Sequence, residues 1–202
     1  MPSALILIAE GTEEMEFTIA YDVLVRGGIE VKSAFVGSSE TGGTQNPHGQ
    51  ANDSVTCSRG VKIVPEMRLP ELAGGKALEY DAIVVPGGNK GAETISKNED
   101  VTKLLGAFYA KGKVVACICA GSLAAKAAKI GKDGSITSHP SVKGELEQDY
   151  RYSEDRVVIS NNLITSRGPG TAFAFSLAIV EALQGKEKRT EIEGPMILPP
   201  TL

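Results

Sequence analysis

Short runs of apolar residues, many of them β-branched, alternate along the chain with segments whose apolar positions recur every three or four residues. The apolar runs cover residues 5–9, 29–36, 61–64, 81–85 and 113–118. The runs at 5–9, 81–85 and 113–118 are nearly continuous, which is typical of parallel strands buried on both faces. Because predicted strands alternate with predicted helices, the pattern favours an α/β fold with a mostly parallel sheet, right-handed crossovers and helices on both faces.

Three segments have the spacing of one buried helix face. They are marked by Phe17, Ala20 and Leu24; by Val101, Leu104, Leu105 and Phe108; and by residues 171 to about 183. A glycine follows each segment, as is common after the C-terminus of a helix. The alanine-rich residues 123–130 predict a further helix, which begins directly after the apolar run at 113–118.

Two segments near the C-terminus are less regular. Residues 156–167 predict a β-hairpin in which Asn161 and Asn162 tolerate the positive φ of a tight turn. Residues 191–202 contain three prolines. We expect this tail to pack as an irregular segment.

Residues 37–53 are polar and rich in glycine, serine, threonine and asparagine. This composition predicts an exposed loop. His48 lies within it, and an isolated loop histidine is most often solvated. We therefore expect no chemical role for His48.

Composition and charge narrow the range of partners. The 202 residues carry no Pro/Ser-rich or charged linker, so residues 1–202 are expected to form one domain. The formal net charge of −4 gives no basic footprint for nucleic acid. The run at 5–9 is too short to span a membrane and lacks the basic flank of a signal peptide. We expect a cytoplasmic protein without a membrane partner, and the sequence leaves nuclear and mitochondrial locations open.

The three cysteines suit a reducing compartment better than a disulfide framework. Cys117 and Cys119 lie two apart in a predicted strand, and no further cysteine or paired histidine completes a metal shell. We therefore expect neither a metal nor a cofactor. Cys57 is expected to be a half-buried small residue rather than a second reactive thiol.

Cys119 is the candidate nucleophile. It lies where the run at 113–118 gives way to small residues and then to the alanine-rich helix. A side chain at such a corner stands beyond the C-terminal edge of the sheet, close to the free N–H groups of a helix N-terminus. Because both features favour a thiolate, the sequence predicts a lowered pKa for this thiol.

Other chemistry-bearing residues are predicted at the same edge of the sheet. Glu16 follows the first strand, at the edge where ligands of open α/β sheets collect. Gly87 and Gly88 follow the strand at 81–85, and their backbone N–H groups can approach a substrate oxyanion closely. His139 follows a short extended piece at 136–138, and a thiol nucleophile often has an imidazole partner.

Six fragments, in this order along nearly the whole chain, resemble the ThiJ/PfpI superfamily and specifically its DJ-one branch, the group of parkinsonism-associated deglycases and glyoxalases. They are the residues Glu10-Gly11-Thr12-Glu13-Glu14-Met15-Glu16, Cys57-Ser58-Arg59, Pro86-Gly87-Gly88-Asn89, Ile118-Cys119-Ala120-Gly121, His139-Pro140 and Thr165-Ser166-Arg167-Gly168-Pro169-Gly170-Thr171. Each fragment alone is a weak signal, whereas all six in sequence are highly specific.

The resemblance implies a flavodoxin-like sandwich, a homodimer and a site made of Cys119, Glu16 and His139. It also implies that the N–H groups of Gly88 and Ala120 face the cysteine sulfur or a bound oxyanion. Two departures matter. Protease-type relatives carry histidine directly after the nucleophilic cysteine, where this chain has Ala120. The loop at residues 38–53 is also longer than is usual in the branch.

Three functions are compatible with these residues. The first is glutathione-independent glyoxalase chemistry on methylglyoxal or glyoxal, which yields 2-hydroxy acids such as lactate and extends to early glycation adducts on proteins. The second is a stress sensor whose Cys119 is oxidised to a sulfinate. The third is a flavodoxin-type nucleotide-binding module, which ranks last because the chain has neither a Walker sequence nor a G-x-G-x-x-G opening its first helix.

Overall fold

The computed structural model describes residues 1–37 and 54–199. In these ranges the strands are β1 (Ser3–Ile8), β2 (Glu30–Phe35), β3 (Val55–Thr56), β4 (Lys62–Ile63), β5 (Met67–Arg68), β6 (Ala82–Val85), β7 (Val114–Ile118), β8 (Ser135–Ile136), β9 (Arg151–Tyr152), β10 (Val157–Ser160) and β11 (Leu163–Ser166). The α-helices are α1 (Glu14–Arg26), α2 (Asn89–Lys97), α3 (Glu99–Ala110), α4 (Leu123–Ala127), α5 (Lys143–Leu146), α6 (Ala172–Gln184) and α7 (Lys186–Met196).

The main sheet of the described ranges has seven strands in the order β10-β11-β7-β6-β1-β2-β5. Every neighbouring pair is parallel except β10 and β11, which form an antiparallel hairpin at one edge. Helices α1 and α6 pack together, as do α2, α3 and α4. This is the flavodoxin-like α/β fold that the sequence predicts, with a mostly parallel sheet and helices around it.

Burial explains the apolar runs of the central strands. Every residue of β6 and β7 is buried, and all but the first residue of β1 are buried too. Parallel strands covered by helices on both faces have no polar face to present to water. The central strands therefore need apolar side chains at consecutive positions.

The order of the strands creates a crevice at the carboxyl edge of the sheet. In the sheet, β2 lies on one side of β1 and β6 lies on the other side. At such a switch point the connections after the two central strands run in opposite directions, which leaves an opening where ligands of α/β sheets bind. The connection after β1 leads into α1, and the connection after β6 leads into α2.

The predicted hairpin forms with Asn161 and Asn162 at its turn. Asn161 has φ of 55°, a left-handed conformation that asparagine tolerates. The Asn162 side chain donates to the carbonyl oxygens of Tyr109 and Lys113 at 3.0 and 2.7 Å. These two bonds tie the hairpin to the end of α3 and the start of β7.

The structure corrects two expectations about helices. The sequence predicts an irregular tail from residue 191, but α7 extends through Met196 and includes Pro195. Pro195 cannot donate to the Glu191 carbonyl oxygen, but it lies one residue before the end of the helix, so the disruption is confined to the last turn. The predicted helix at 123–130 is shorter than expected, since α4 ends at Ala127. A 3-10 turn, Cys119–Ser122, lies between β7 and this helix.

The predicted loop at 37–53, with His48 and the long segment at 38–53, falls outside the described residues except at Gly37. Within the described ranges, no helix combines the length and apolar character needed to cross a bilayer.

We expect opposite stability changes from alanine at two helix-associated glycines. A Cβ on Gly27 would lie 2.7 and 2.9 Å from the methyl carbons of Val180 on α6. Gly27→Ala should therefore lower the free energy of unfolding by about 1–3 kcal/mol, as overpacking does. Gly106, inside α3, has open space where a Cβ would stand, with no neighbouring atom within 4 Å. Gly106→Ala should raise the free energy of unfolding by about 0.5–1 kcal/mol. Urea unfolding measures both, and two changes of the same sign would contradict this packing.

Candidate active site

Cys119 lies at a sharp corner directly after β7. Its φ of 62° is left-handed, which costs about 1–3 kcal/mol for a residue with a side chain and is typical of functional sites. The turn that follows packs tightly against the end of β6, because a Cβ on Gly121 would come within 2.5 Å of the Val85 carbonyl oxygen. Cys119 retains 9% of its exposure, whereas Cys117 retains none. The corner therefore brings one of the two thiols to the edge of a cavity.

Glu16 is fully buried in the first turn of α1. The backbone N–H of Gly87 donates to its Oε2 at 2.6 Å. Its Oε1 is buried and has no hydrogen-bond partner among the described residues. Glu13 caps the same helix by accepting the Glu16 N–H at 2.8 Å. The carboxyl group is thus fixed in place through one oxygen, while the other is left unsatisfied.

The absence of a side chain at Gly87 lets the thiol and the carboxyl group meet. A Cβ on Gly87 would lie 2.6 Å from Cys119 Cβ, 2.7 Å from Glu16 Oε2 and 2.9 Å from Cys119 Sγ. The two functional groups therefore lie against the same point of the β6–α2 turn, close enough to hydrogen-bond each other. The N–H of Gly87, predicted as an oxyanion donor, is occupied by Glu16.

Two other backbone N–H groups, those of Gly88 and Ala120, lie beside the Cys119 sulfur and act to lower its pKa. Gly88 adopts φ of 85°, and a Cβ there would lie only 2.3 Å from the Gly11 carbonyl oxygen. Only glycine fits this position, because a side chain would collide with the β1–α1 connection. The two amides point to the place where negative charge on sulfur or on a bound oxygen would be stabilised.

Burial raises the pKa of Glu16 to about 7, and the nearby charge of Glu13 adds to this, against the hydrogen bonds from Gly87 and Cys119. Burial, followed by the negative charge of Glu16, also raises the pKa of Cys119, against the hydrogen bonds from Ala120 and Gly88. This direction is opposite to the lowered pKa that the sequence predicts, because burial disfavours the charged sulfur and the neighbouring carboxylate opposes a second negative charge. Once Glu16 is protonated, that repulsion vanishes, and the two amides then act against burial to lower the pKa of Cys119. The pair therefore titrates as one unit that holds a shared proton.

His139 lines the same cavity as Cys119 and is itself exposed. The backbone N–H of Ser141 donates to Nδ1 at 3.2 Å, and the Ser141 hydroxyl lies 2.8 Å from the same atom. Because Nδ1 accepts from a backbone N–H, the proton of the neutral ring lies on Nε2. The ring is thus held in one tautomer, without a hydrogen bond between His139 and Cys119.

A buried hydrogen bond that the sequence analysis missed joins the Cys119 turn to the His139 segment. The Ser122 hydroxyl donates to the Thr137 carbonyl oxygen at 2.9 Å, and both residues are fully buried. The Thr137 N–H in turn donates to the Thr165 hydroxyl on β11 at 3.0 Å. Because serine and threonine are common beside turns, their presence in the sequence does not predict this hydrogen bond.

Glu14 does more than complement the dipole of α1 from the first turn of that helix. Its carboxylate accepts from the Ser58 hydroxyl at 2.8 Å and from the Arg59 N–H at 2.7 Å. Burial acts to raise its pKa, but these hydrogen bonds outweigh burial and lower it. Glu14 thereby holds Ser58 and Arg59, which follow β3 and form one wall of the site, against α1.

The site opens into a cavity of about 630 Å³. It is lined by Glu10, Gly11, Glu13, Thr56, Cys57, Ser58, Arg59, Gly88, Asn89, Lys90, Cys119, His139, Ser141 and Pro169. Cys57 is 4% exposed, more deeply buried than the half-buried state expected. Burial and then the charge of Glu14 raise its pKa to about 11. No cluster of three or more potential ligands in the described ranges is arranged to hold a metal ion.

Sequence comparison finds relatives along nearly the whole chain. A model of the DJ-1/PfpI family matches residues 2–182. Protein dj-1beta of Drosophila melanogaster is 40% identical over 191 residues, which cover 94% of each chain. Glutathione-independent glyoxalase DJ-1 of Schizosaccharomyces pombe is 34% identical over 98% of this chain and 100% of its own. Glutathione-independent glyoxalase DJR-1.2 of Caenorhabditis elegans is 37% identical over 97% of this chain and 96% of its own.

Solved structures give the same result. The crystal structure of Drosophila melanogaster DJ-1beta superposes with a TM-score of 0.86 at 40% identity and covers 98% of both chains. A structure described as Toxoplasma gondii DJ-1, oxidized, superposes with a TM-score of 0.83 at 28% identity and also covers 98% of both chains.

The raised pKa of Glu16 should make the stability of the protein depend on pH. Since the folded state holds this proton more tightly than the unfolded state, the contribution is full below about pH 4.5 and is lost as pH rises through about 7. The shift corresponds to about 3 kcal/mol. The difference in unfolding free energy between wild type and Glu16→Gln should therefore fall between pH 4.5 and 8 in urea titrations.

Glu14→Gln is the matched control, because the lowered pKa of Glu14 gives a contribution that is lost only as pH falls below the usual carboxyl range. Its difference from wild type should not decrease over the same interval. A flat difference for Glu16→Gln would mean that Glu16 ionises like an exposed carboxyl group.

Proposed function

The chain belongs to the DJ-1/PfpI family, and on that premise we propose that it is a glutathione-independent glyoxalase that converts methylglyoxal or glyoxal into 2-hydroxy acids. Relatives in fission yeast and in Caenorhabditis elegans carry this activity in their names. The observation that carries the proposal is the close approach of Cys119 and Glu16, which is possible because Gly87 has no side chain. A thiol and a carboxyl group sharing a proton beside a cavity are suited to nucleophilic addition and proton transfer on an aldehyde.

In the first step the sulfur of Cys119 attacks the aldehyde carbon and forms a carbon–sulfur bond. The electron pair of the carbonyl bond moves to oxygen, and protonated Glu16 supplies the proton that completes a hemithioacetal. The N–H groups of Gly88 and Ala120, which face the sulfur, stabilise the developing negative charge.

In the second step the Glu16 carboxylate removes the proton from the former aldehyde carbon, which gives an enediol-like intermediate. His139, with its proton on Nε2, assists proton transfer to the neighbouring ketone oxygen. Protonated Glu16 returns its proton to the adjacent carbon, and the hydroxyl proton on the former aldehyde carbon passes back to His139, which leaves a 2-hydroxy thioester on Cys119. The aldehyde carbon is thereby oxidised and the ketone carbon reduced, so no external oxidant or cofactor is required.

In the third step water hydrolyses the thioester and releases the 2-hydroxy acid and the free thiol. Methylglyoxal and one water thus give lactate. The same thiol addition would draw methylglyoxal away from its early adducts on proteins, so we include glycated proteins among the proposed substrates. Peptide hydrolysis is disfavoured, because Ala120 stands where protease-type relatives carry a histidine.

Replacing the sulfur should abolish this reaction. Cys119→Ala is expected to reduce lactate formation from methylglyoxal by at least about a hundredfold, since the covalent route is lost. Cys117→Ala, at a fully buried position on the preceding strand β7, is the control and should retain turnover. Purified protein, methylglyoxal and a chiral lactate assay make the measurement. Undiminished turnover by Cys119→Ala would refute the thiol mechanism.

We propose redox sensing by the same thiol as a second candidate function. Cys119 alone of the two thiols on the β7 segment reaches the cavity. The amides of Gly88 and Ala120 and a protonated Glu16 could hydrogen-bond the oxygens of a sulfinate. The Toxoplasma gondii DJ-1 structure compared above is of a protein described as oxidized.

Mild peroxide treatment tests this second function. We expect peptide mass spectrometry to find two added oxygens on Cys119 before any on Cys57 or Cys117, because those two thiols are more deeply buried. Glu16→Gln should alter the yield of the dioxygenated form, since it changes the hydrogen bonding around the sulfur. Oxidation that begins at Cys57 or Cys117 would argue against a sensor role for Cys119.

A further inference from the structure

The cavity beside Cys119 is much larger than the proposed small dicarbonyl substrates require. Its volume of about 630 Å³ lies in the range of about 300–1,000 Å³ that is typical of sites for drug-sized ligands. Methylglyoxal and glyoxal have only a few non-hydrogen atoms. Space therefore remains for a substituent on the far side of the dicarbonyl group, and the charges on the lining decide which substituent fits.

Lys90 lies on the wall of this cavity, in the first turn of α2. Its aliphatic stem passes over Gly11, since a Cβ on Gly11 would lie 2.8 Å from Lys90 Cβ and 3.4 Å from its Cγ and Cδ. The stem is thus packed against the β1–α1 connection, whose next helix carries Glu16. This packing anchors the base of the Lys90 side chain on the wall of the cavity.

The ammonium group of Lys90 forms no ion pair or hydrogen bond within residues 1–37 and 54–199. Among the described residues, the side chain of Arg59, the second cation on the lining, donates only to the Ser58 carbonyl oxygen, at 3.3 Å through Nη1. The two carboxylates on the lining are already engaged by backbone N–H groups. Glu13 accepts from Glu16 at 2.8 Å, and Glu10 accepts from Thr56 at 3.3 Å.

The position of Lys90 is unfavourable for its own helix. A cation in the first turn opposes the helix dipole, and α2 has no acidic residue there to compensate. By contrast, Lys97 lies in the last turn of the same helix and pairs with Glu93 at 2.5 Å, as helix electrostatics favour. A locally unfavourable charge on the wall of a reactive cavity is typical of a functional position.

We propose that Lys90 selects substrates that carry a carboxylate, namely 2-oxoaldehydes with an anionic group on the ketone side. This inference rests on the proposed glyoxalase function. Sulfur addition, proton transfer and thioester hydrolysis proceed as for methylglyoxal, so one water is consumed and no further reactant is needed. Lys90 takes no part in the bond changes. It holds the carboxylate by a charge-assisted hydrogen bond, and Arg59 adds positive potential on the same lining.

The test compares a charged and a neutral substrate of nearly equal size. The probes are 4,5-dioxopentanoate and its methyl ester, which yield 2-hydroxypentanedioate and its monoester. We expect kcat/KM of the wild type to favour the carboxylate over the ester. Lys90→Gln should lower this preference about tenfold, the effect of losing one hydrogen bond to a charged group. The preference should also decrease with added salt, because the ammonium group is exposed.

Lys97→Gln is the matched control, since it removes a lysine from the same helix away from the lining of this cavity. It should leave the preference unchanged. An equal loss of preference in Lys97→Gln and Lys90→Gln would reduce the effect to the general charge of the protein and overturn the assignment. A preference unaltered in Lys90→Gln, or a wild type that favours the ester, would overturn it as well.

A second readout does not depend on glyoxalase turnover. N-Iodoacetylglycine and N-iodoacetylglycinamide alkylate thiols and differ in one carboxylate, and peptide mass spectrometry gives their rates at Cys119. We expect the ratio of acid to amide rates to fall in Lys90→Gln and to persist in Lys97→Gln. If the wild type turns over no dicarbonyl, the glyoxalase proposal fails while this ratio still decides the role of Lys90. An unchanged ratio in Lys90→Gln rejects that role.

Discussion

The site depends on the enforced proximity of a thiol and a carboxyl group that are both withdrawn from water. Glu16 is fully buried and Cys119 nearly so. The two side chains can approach each other because Gly87, which lies against both, has no side chain. Two adjacent negative charges in such surroundings are strongly disfavoured, so the pair retains a proton near neutral pH. A shared proton beside an open cavity allows one group to act as nucleophile while the other donates or accepts the proton.

Three connections hold this pair in place, and each follows a different strand. Glu16 comes from the connection after β1, Gly87 and Gly88 from the connection after β6, and Cys119 from the corner after β7. The strands themselves are neighbours and are fully apolar where they meet. Close packing of this core fixes the positions of the turns, because small shifts of the strands would open voids. The reactivity of the site thus depends on the packing of the sheet below it.

Much of the fold can be predicted from the sequence because its signals are local. Consecutive apolar positions mark β1, β6 and β7, and the periodicity of Phe17, Ala20 and Leu24 marks α1. The prediction for the tail is wrong, since prolines suggest irregular structure while Ile192 is buried within a regular helix. Burial against another helix is a tertiary effect, and it outweighs the local preference of one proline in a last turn. Helix α2 escapes prediction, because its apolar residues are few and Lys90 opposes its dipole.

Local sequence patterns are enough to predict which residue types stand at the carboxyl edge of the sheet: a thiol at a strand-to-helix corner, a carboxylate after the first strand and glycines after the strand between them. How these groups act on one another depends on contacts between distant segments. Burial of Cys119 and its proximity to Glu16 raise the pKa of the thiol against the sequence prediction. The N–H of Gly87 holds the carboxyl group, and Ser122 joins the Cys119 turn to the His139 segment. The residue types can be recognised from local sequence patterns. The desolvation of these groups and the interactions between their charges depend on which distant segments the fold brings together.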